Sequence, residues 1–473
     1  MITSIKINGF KSFHNFEMDF FTPYTIIAGV NASGKSNLFD AIKLLSKLAD
    51  SKLKDAFKDQ RGDFLEVFTK YDDGKRANRI EFVVEMLVNK TVTDAWGATT
   101  NLKYTRLKYE LTIQCEVNES SGVIDLTIIN ERLESIKHRG DKWIKIIPAK
   151  YRETWRPSVI GPRGTPYIYT EEVNGIPTVS VPQDGTGGIK RSFPILNSSR
   201  TVLSSFDGID FPHILAAREE MKSWRYLQFN PEDLREPTDK YQGEDIISHS
   251  GKNLAATLYR IKQNNPYALV EISRELNSFL PNFVEVDAID DIPNKQYLIN
   301  LKDDNGKVFS SRVLSEGTLR LLALCIIGWD DRYIGTLCFE EPENGIHPFR
   351  VRNMAALLKK FSTDFSNPNA ILRQIIVNTH SPVMVGEVYK WSLDNNVSLW
   401  YSKMITRLTD VDGNRTKLNV TRIVPVLKEF EQPEQPIQLS LFGDAKVQNY
   451  NQGEIKTTLN TVQRYLQSPE ISE

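Results

Sequence analysis

Apolar residues set a clear rhythm over the first fifty positions. Ile2, Ile5 and Ile7 open an apolar strand, and Tyr24-Thr25-Ile26-Ile27-Ala28 is a short run of strand formers. A glycine-rich turn ends that run, after which Leu38, Ile42, Leu45 and Leu48 recur at helical spacing. The prediction is strand, glycine loop, helix. From roughly Arg79 to Ile129 the pattern is strand-rich, as in Ile80-Glu81-Phe82-Val83-Val84 and Tyr109-Glu110-Leu111-Thr112-Ile113. Between about Glu134 and Arg200 it becomes irregular, with a flexible loop expected at Asp184-Gly185-Thr186-Gly187-Gly188. Helical spacing returns with Leu254, Leu258 and Ile261, and a second α/β block runs from about Val313 to Val424. Glu431-Gln432-Pro433-Glu434-Gln435-Pro436 reads as a solvated linker. No heptad repeat persists long enough for a coiled coil, and no internal repeat is visible.

Composition narrows the classes. A chain of 473 residues suggests about three domains. Lys+Arg 59 against Asp+Glu 60 leaves a net charge of -1, so any nucleic-acid surface must be local. No run of about 18 apolar residues predicts a membrane span. Cys115, Cys325 and Cys338 are scattered and form neither a disulfide framework nor zinc spacing. A soluble cytoplasmic protein is expected.

Gly29-Val30-Asn31-Ala32-Ser33-Gly34-Lys35-Ser36 fits GxxxxGK[ST] between a predicted strand and a predicted helix. Glycines let backbone N–H groups face a phosphate, and the following helix points its positive end there. Lys35 would then contact the β- and γ-phosphates of ATP, and Ser36 would ligate Mg²⁺. The expected nucleotide contacts are Gly29, Asn31, Ala32, Ser33, Gly34, Lys35, Ser36 and Asn37. The second block adds three pieces. Ser315-Glu316-Gly317-Thr318 precedes an apolar helix, where a hydroxyl and N–H groups suit an anion. Thr336-Leu337-Cys338-Phe339 ends in Glu340-Glu341, one carboxylate for a metal and one for an attacking water. Gln374-Ile375-Ile376-Val377-Asn378 leads to Thr379-His380-Ser381-Pro382, placing a histidine at a strand end.

In this order the pieces resemble the ABC-class ATPases of the SMC/RecF/Rad50 branch, above all the OLD-like ATPases of prokaryotic defence. Asn8-Gly9-Phe10-Lys11-Ser12-Phe13 is similar to that branch's opening strand, and Ser315-Glu316-Gly317 to its signature, which completes the opposite subunit's site. Glu340-Glu341-Pro342-Glu343-Asn344-Gly345-Ile346-His347-Pro348 is similar to its Walker B and D-loop, and Thr379-His380-Ser381-Pro382 to its switch histidine segment. The resemblance implies a split ABC-type α/β P-loop ATPase head, with Glu340 and Ser36 for Mg²⁺ and Glu341 and His380 for hydrolysis. The family usually has Asp where Glu340 stands, which bears on the hydrolysis rate. For the glutamine loop, Gln60 is the best-placed residue, against a solvated polar turn.

The spacing splits the head. Lys35 and Ser315 are 280 residues apart, whereas Ser315 and Glu341 are separated by 26. The expected divisions are an N-terminal head lobe at 1–95 and a β-rich then helical insertion at 96–305, with no long coiled coil. A C-terminal head lobe at 306–428 and a flexible tail at 429–473 follow. The resemblance also implies a homodimer or higher homo-oligomer. Asp410-Val411-Asp412-Gly413-Asn414 contains the DxD of a Toprim nuclease, but a hairpin turn is the simpler reading.

Two stretches suggest contacts. Eight basic residues between Lys137 and Arg163 face only two acidic ones, with aromatics interleaved. Lys142, Trp143, Lys145, Lys150, Arg152 and Arg156 are therefore a candidate nucleic-acid patch, or else a solvated or protein-docking face. Gln438-Leu439-Ser440-Leu441-Phe442 matches the peptide that docks on bacterial sliding clamps, through Gln438, Leu439, Leu441 and Phe442. A tail packed on its own head or on a partner subunit remains the other reading.

The resulting expectation is the ATPase subunit of an anti-phage complex, similar to those of Septu-type and PARIS-type systems. It would act on a separate HNH-type or Toprim-like nuclease, or a toxin. The alternative is a RecF-like repair or replication ATPase recruited to DNA or the sliding clamp.

Overall fold

The computed structural model describes residues 1–117, 124–158, 164–183, 190–195, 198–241, 246–411, 414–427 and 452–466. The centre is a six-stranded sheet. Its order is Arg225–Leu227, Gly335–Glu340, Arg373–Thr379, Tyr24–Ala28, Val397–Val411 and Asn414–Pro425. The first five strands run parallel, and the last turns back antiparallel. Tyr24–Ala28, Gly335–Glu340 and Arg373–Thr379 are buried at every position, as expected for parallel strands covered on both faces.

Alternate side chains divide between two cores. Ile27, Cys338, Ile376 and Trp400 point to the Lys35–Leu48 helix, whose Leu38, Ile42, Leu45 and Leu48 form the predicted stripe. Ile26, Phe339 and Val377 point the other way, to helices Glu316–Trp329, Pro348–Phe361 and Pro382–Lys390. Beyond the first core lies a five-stranded antiparallel sheet, ordered Phe16–Asp19, Ile2–Asn8, Arg79–Leu87, Arg106–Val117 and Ile124–Ser135. This is a mixed α/β P-loop head.

The division expected at residue 95 does not separate two bodies. Arg79–Leu87 pairs with Arg106–Val117 over nine register positions, so one sheet spans the boundary. An edge at Arg79–Leu87 would leave a row of backbone groups unpaired. Further along, Arg225–Leu227 also belongs to the central sheet. Helices Leu254–Asn264 and Pro266–Phe279 cover the Phe283–Asp291 and Gln296–Asp303 hairpin. The longest helix among the described residues has 15 residues, and none is long and apolar enough to cross a membrane.

The tail also needs correction. Residues 452–466 form a docked helix, Gln452–Leu466, with Ile455, Leu459 and Val462 buried. Those three stand at i, i+4 and i+7, an apolar stripe obscured by the polar sequence before it. Glu454 anchors the helix to Arg422 at 3.2 Å and to Lys403 at 3.6 Å. Val397–Val411 and Asn414–Pro425 pair antiparallel out to Val411 and Asn414, with Asp410 opposite Arg415, while Asp412 and Gly413 of the DxD stretch lie outside the described residues.

Candidate active site

Three parallel strand ends bring the sequence-predicted groups together. Tyr24–Ala28 delivers the phosphate loop, Gly335–Glu340 delivers Glu340 and Glu341, and Arg373–Thr379 delivers His380. Such ends are where open α/β sheets bind ligands. Ala32 and Gly34 take positive φ, at 62° and 87°, which curls the loop into the first turn of the Lys35–Leu48 helix. Ser402 Oγ donates to Ser33 O at 2.9 Å and supports the loop from the neighbouring strand.

Lys35 is buried beneath the loop. Its Nζ donates to Gly29 O at 2.6 Å and to Val30 O at 3.0 Å. Desolvation lowers its pKa, while Glu341, Glu340 and Glu343 pull it back up. Its charge therefore stands where a phosphate would be met. Asn31 and Ala32 are exposed at the loop tip. Asn37 reaches sideways, donating from Nδ2 to Ser12 Oγ at 2.7 Å. Ser12 Oγ also bonds Thr421 Oγ1 at 2.6 Å, linking the opening segment to the last sheet strand.

Ser36 Oγ donates to Glu340 Oε1, and Asn378 Nδ2 donates to Glu340 Oε2 at 3.1 Å. Burial raises the pKa of Glu340, partly offset by these two donors. A hydroxyl beside a carboxylate is the oxygen donor set Mg²⁺ takes, and the longer Glu reaches Ser36 directly. Asn378 Oδ1 and Ser33 Oγ are buried without a partner, so polar capacity remains for a bound group. The donor set therefore fits the metal, which when bound to ATP would offset phosphate charge.

Glu341 occupies a left-handed backbone position, φ 45°. This orientation lets Oε1 lie 3.0 Å from His380 Nδ1, while Oε2 accepts from Asn344 Nδ2 at 3.0 Å. A non-glycine residue at that φ is strained, a condition that accumulates where side-chain aim matters. The carboxylate and imidazole can together orient a water and take its proton.

The signature segment lies elsewhere on the surface. Ser315 caps Glu316–Trp329, its Oγ accepting from Thr318 N at 3.3 Å. Glu316 Oε1 accepts from Arg320 Nη2 at 2.7 Å. Gly317 packs so closely that a Cβ there would stand 2.4 Å from Gly345 O, tying the signature to the turn after Walker B. Val313, next to it, is 69% exposed.

Gln60 is no solvated turn residue: it is 7% exposed, with Oε1 and Nε2 buried and without partners. Arg61 beside it donates to Asp40 Oδ2 at 2.8 Å, and Lys11 reaches the same oxygen at 2.6 Å.

The basic patch separates into two sets. Trp143 is interior, its Nε1 donating to Phe21 O at 2.8 Å and its ring edge-on to Phe365. Arg156 is buried too, paired with Asp141 at 2.9 Å and donating to Ile136 O. Neither can meet a base or phosphate, because apolar packing and a buried carboxylate already hold them. Arg152 donates to Ile147 O at 2.9 Å, while Lys142, Lys145 and Lys150 are exposed. Gln438, Leu439, Leu441 and Phe442 lie outside the described residues.

The fold and the loop define a P-loop nucleotide-hydrolysing head. Residues 133–386 match the family described as "AAA domain, putative AbiEii toxin, Type IV TA system", and residues 4–151 match a second AAA domain family. The chain belongs to the first of these AAA-domain families, and it is an ATPase. A protein of Helicobacter pylori named ATP/GTP phosphatase is 24% identical over 388 residues, 80% of this chain and 85% of that one. Among solved structures, an SMC head bound to the C-winged helix domain of ScpA is 14% identical with a TM-score of 0.49. It is matched over 91% of this chain and 99% of its own. An SMC head from Pyrococcus furiosus with an extended coiled coil, bound to the C-terminal domain of ScpA, is also 14% identical. Its TM-score is 0.42, over 91% of this chain and 97% of its own.

Sequence reasoning passed over four groups near the site. Thr421 carries no motif of its own, Ser12 lies inside the opening-strand stretch without a role assigned to it, and Asn378 stands one residue before a motif. Glu343 lies inside the Walker B stretch, where the adjacent carboxylate pair drew the assignment.

Proposed function

We propose that this ATPase is a subunit of an OLD-like anti-phage complex and acts as a nucleotide-driven switch on a separate nuclease or toxin. The observation that carries the reading is the division of its site. The phosphate loop, Glu340, Glu341 and His380 converge at adjacent strand ends, while Ser315-Glu316-Gly317 is presented outward on the Gly345 turn. Two copies face to face would place each signature over the other's ATP, and hydrolysis would loosen the pair. Lys35 would hold the phosphates, Ser36 and Glu340 the Mg²⁺, and Glu341 with His380 the attacking water. The family's description, which names a toxin of a toxin–antitoxin system, supports the defence reading over housekeeping repair.

The test is a tagged Glu341→Gln pull-down from the native host with ATP, followed by mass measurement. An even number of copies with a nuclease-like or toxin-like protein at fixed stoichiometry is expected. Recovery of DNA or the sliding clamp alone would overturn the reading in favour of a RecF-like role.

A further inference from the structure

The turn that carries His380 is pinned from two sides. On the inside stands Glu343, 6% exposed, with Oε1 accepting from Thr379 Oγ1. Thr379 Oγ1 in turn accepts from Ser381 N at 2.9 Å. Ser381 caps the Pro382–Lys390 helix, its Oγ accepting from Met384 N at 3.4 Å. On the outside, Tyr465 of the terminal helix donates its hydroxyl to His380 O. The backbone before, at and after His380 is thereby fixed, with its ring facing Glu341.

Glu343 is an expensive residue for a merely structural task. Its Oε2 is buried without a partner, and the Tyr24 hydroxyl is another buried group with none. An unmatched buried oxygen is costly, because it gives up water without gaining a partner. Burial raises its pKa, which favours a neutral acid and removes the need for a cation beside it. Glu341 and His380 side chains are 26% and 44% exposed and can reach a substrate, whereas Glu343 lies underneath them.

We infer that Glu343 is a positioning residue for ATP hydrolysis, acting through its hydrogen bond with Thr379 to hold the His380 turn in register with Glu341. It needs only an acceptor oxygen for this, not a charge. The inference rests on the assignment of Glu341 and His380 to hydrolysis.

The experiment measures steady-state ATP turnover and equilibrium ATP binding on the full chain. Glu343→Ala and Thr379→Val should lower kcat by about tenfold, the scale of one lost buried hydrogen bond, with ATP affinity within about twofold. Glu343→Gln, whose amide oxygen still accepts, and Thr379→Ser, which keeps the hydroxyl, should stay within about threefold of the parent. The Thr379 pair retains the test should Glu343→Ala fail to fold. Parental turnover in Thr379→Val, or Glu343→Gln as impaired as Glu343→Ala, overturns the inference. Glu341→Gln runs alongside: its inactivity leaves the assignment standing whatever Glu343 does, and its full activity removes both.

Discussion

Replacing Gly34 by alanine tests the phosphate loop most directly. Gly34 stands at φ 87° as the residue before the Lys35–Leu48 helix, and that conformation costs a residue with a Cβ about 1–2 kcal/mol. The new methyl would also lie 1.8 Å from Thr421 Oγ1 and 2.9 Å from its Cβ. Thr421 cannot simply swing away, because Ser12 holds its hydroxyl at 2.6 Å and its backbone N–H at 2.9 Å. Overpacking of this kind costs about 1–3 kcal/mol. The sum, about 2–5 kcal/mol, falls on the cradle and not on the distant cores, so it should appear as lost nucleotide affinity. At 1.4 kcal/mol per factor of ten, ATP binding should weaken by about thirtyfold or more. Titration of a fluorescent ATP analogue measures it. Thr421→Gly removes the colliding side chain, so the double variant should recover the steric share, with Thr421→Gly alone closing the cycle. Binding by Gly34→Ala within twofold of the parent refutes the reasoning, as does a double variant no better than the single.

Further outcomes follow from the same geometry. Lys35→Ala should weaken ATP binding in the same titration, because the ammonium that occupies the cradle is lost. Glu341→Gln should bind ATP yet hydrolyse it about 10²–10⁴-fold more slowly, the usual loss for a general base, as phosphate-release assays would read. Leu459→Ala should destabilise docking of the terminal helix by about 2–5 kcal/mol, making that segment the first cut in limited proteolysis. Glu131 is fully buried and burial pushes its pKa up to about 7, against donors at Leu203 N, Val202 N and Tyr109 Oη. A raised carboxyl pKa gives stability that is complete below its unfolded value and lost as pH rises through about 7. Unfolding free energy should therefore fall between pH 5 and pH 8 by at most about 3 kcal/mol, seen as a lower melting temperature, and the slope should flatten in Glu131→Gln.

The phosphate loop was legible because its chemistry is local: eight consecutive residues form the turn that meets the phosphate. Glu340, Glu341 and His380 were legible for a similar reason, since strand ends carry them in the order the sheet uses. What sequence could not show was pairing across distance. Thr421 bonds Ser12, 409 residues earlier, through one hydroxyl, and nothing in its neighbours marks it. Trp143 and Arg156 misled because interleaved basic and aromatic residues look alike on a surface and around a buried ion pair. Asp141 was the sign, one of two acids among eight cations, now found under Arg106 and Arg156. The Gln452–Leu466 helix was lost to the polar composition in front of it.

The strand order has a consequence for how the chain is made. Tyr24–Ala28 sits between Arg373–Thr379 and Val397–Val411, so its partners leave the ribosome about 340 residues after it does. At about 5–20 residues per second, that apolar strand waits on the order of 17–70 s with both edges open. The N-terminal antiparallel sheet can close earlier, its five strands being complete by Ser135. Nascent chains should therefore pass through a stage in which one lobe is folded and the nucleotide-binding strand is still sticky. That stage calls for a chaperone, and it makes ATP affinity one of the last properties the newborn protein acquires.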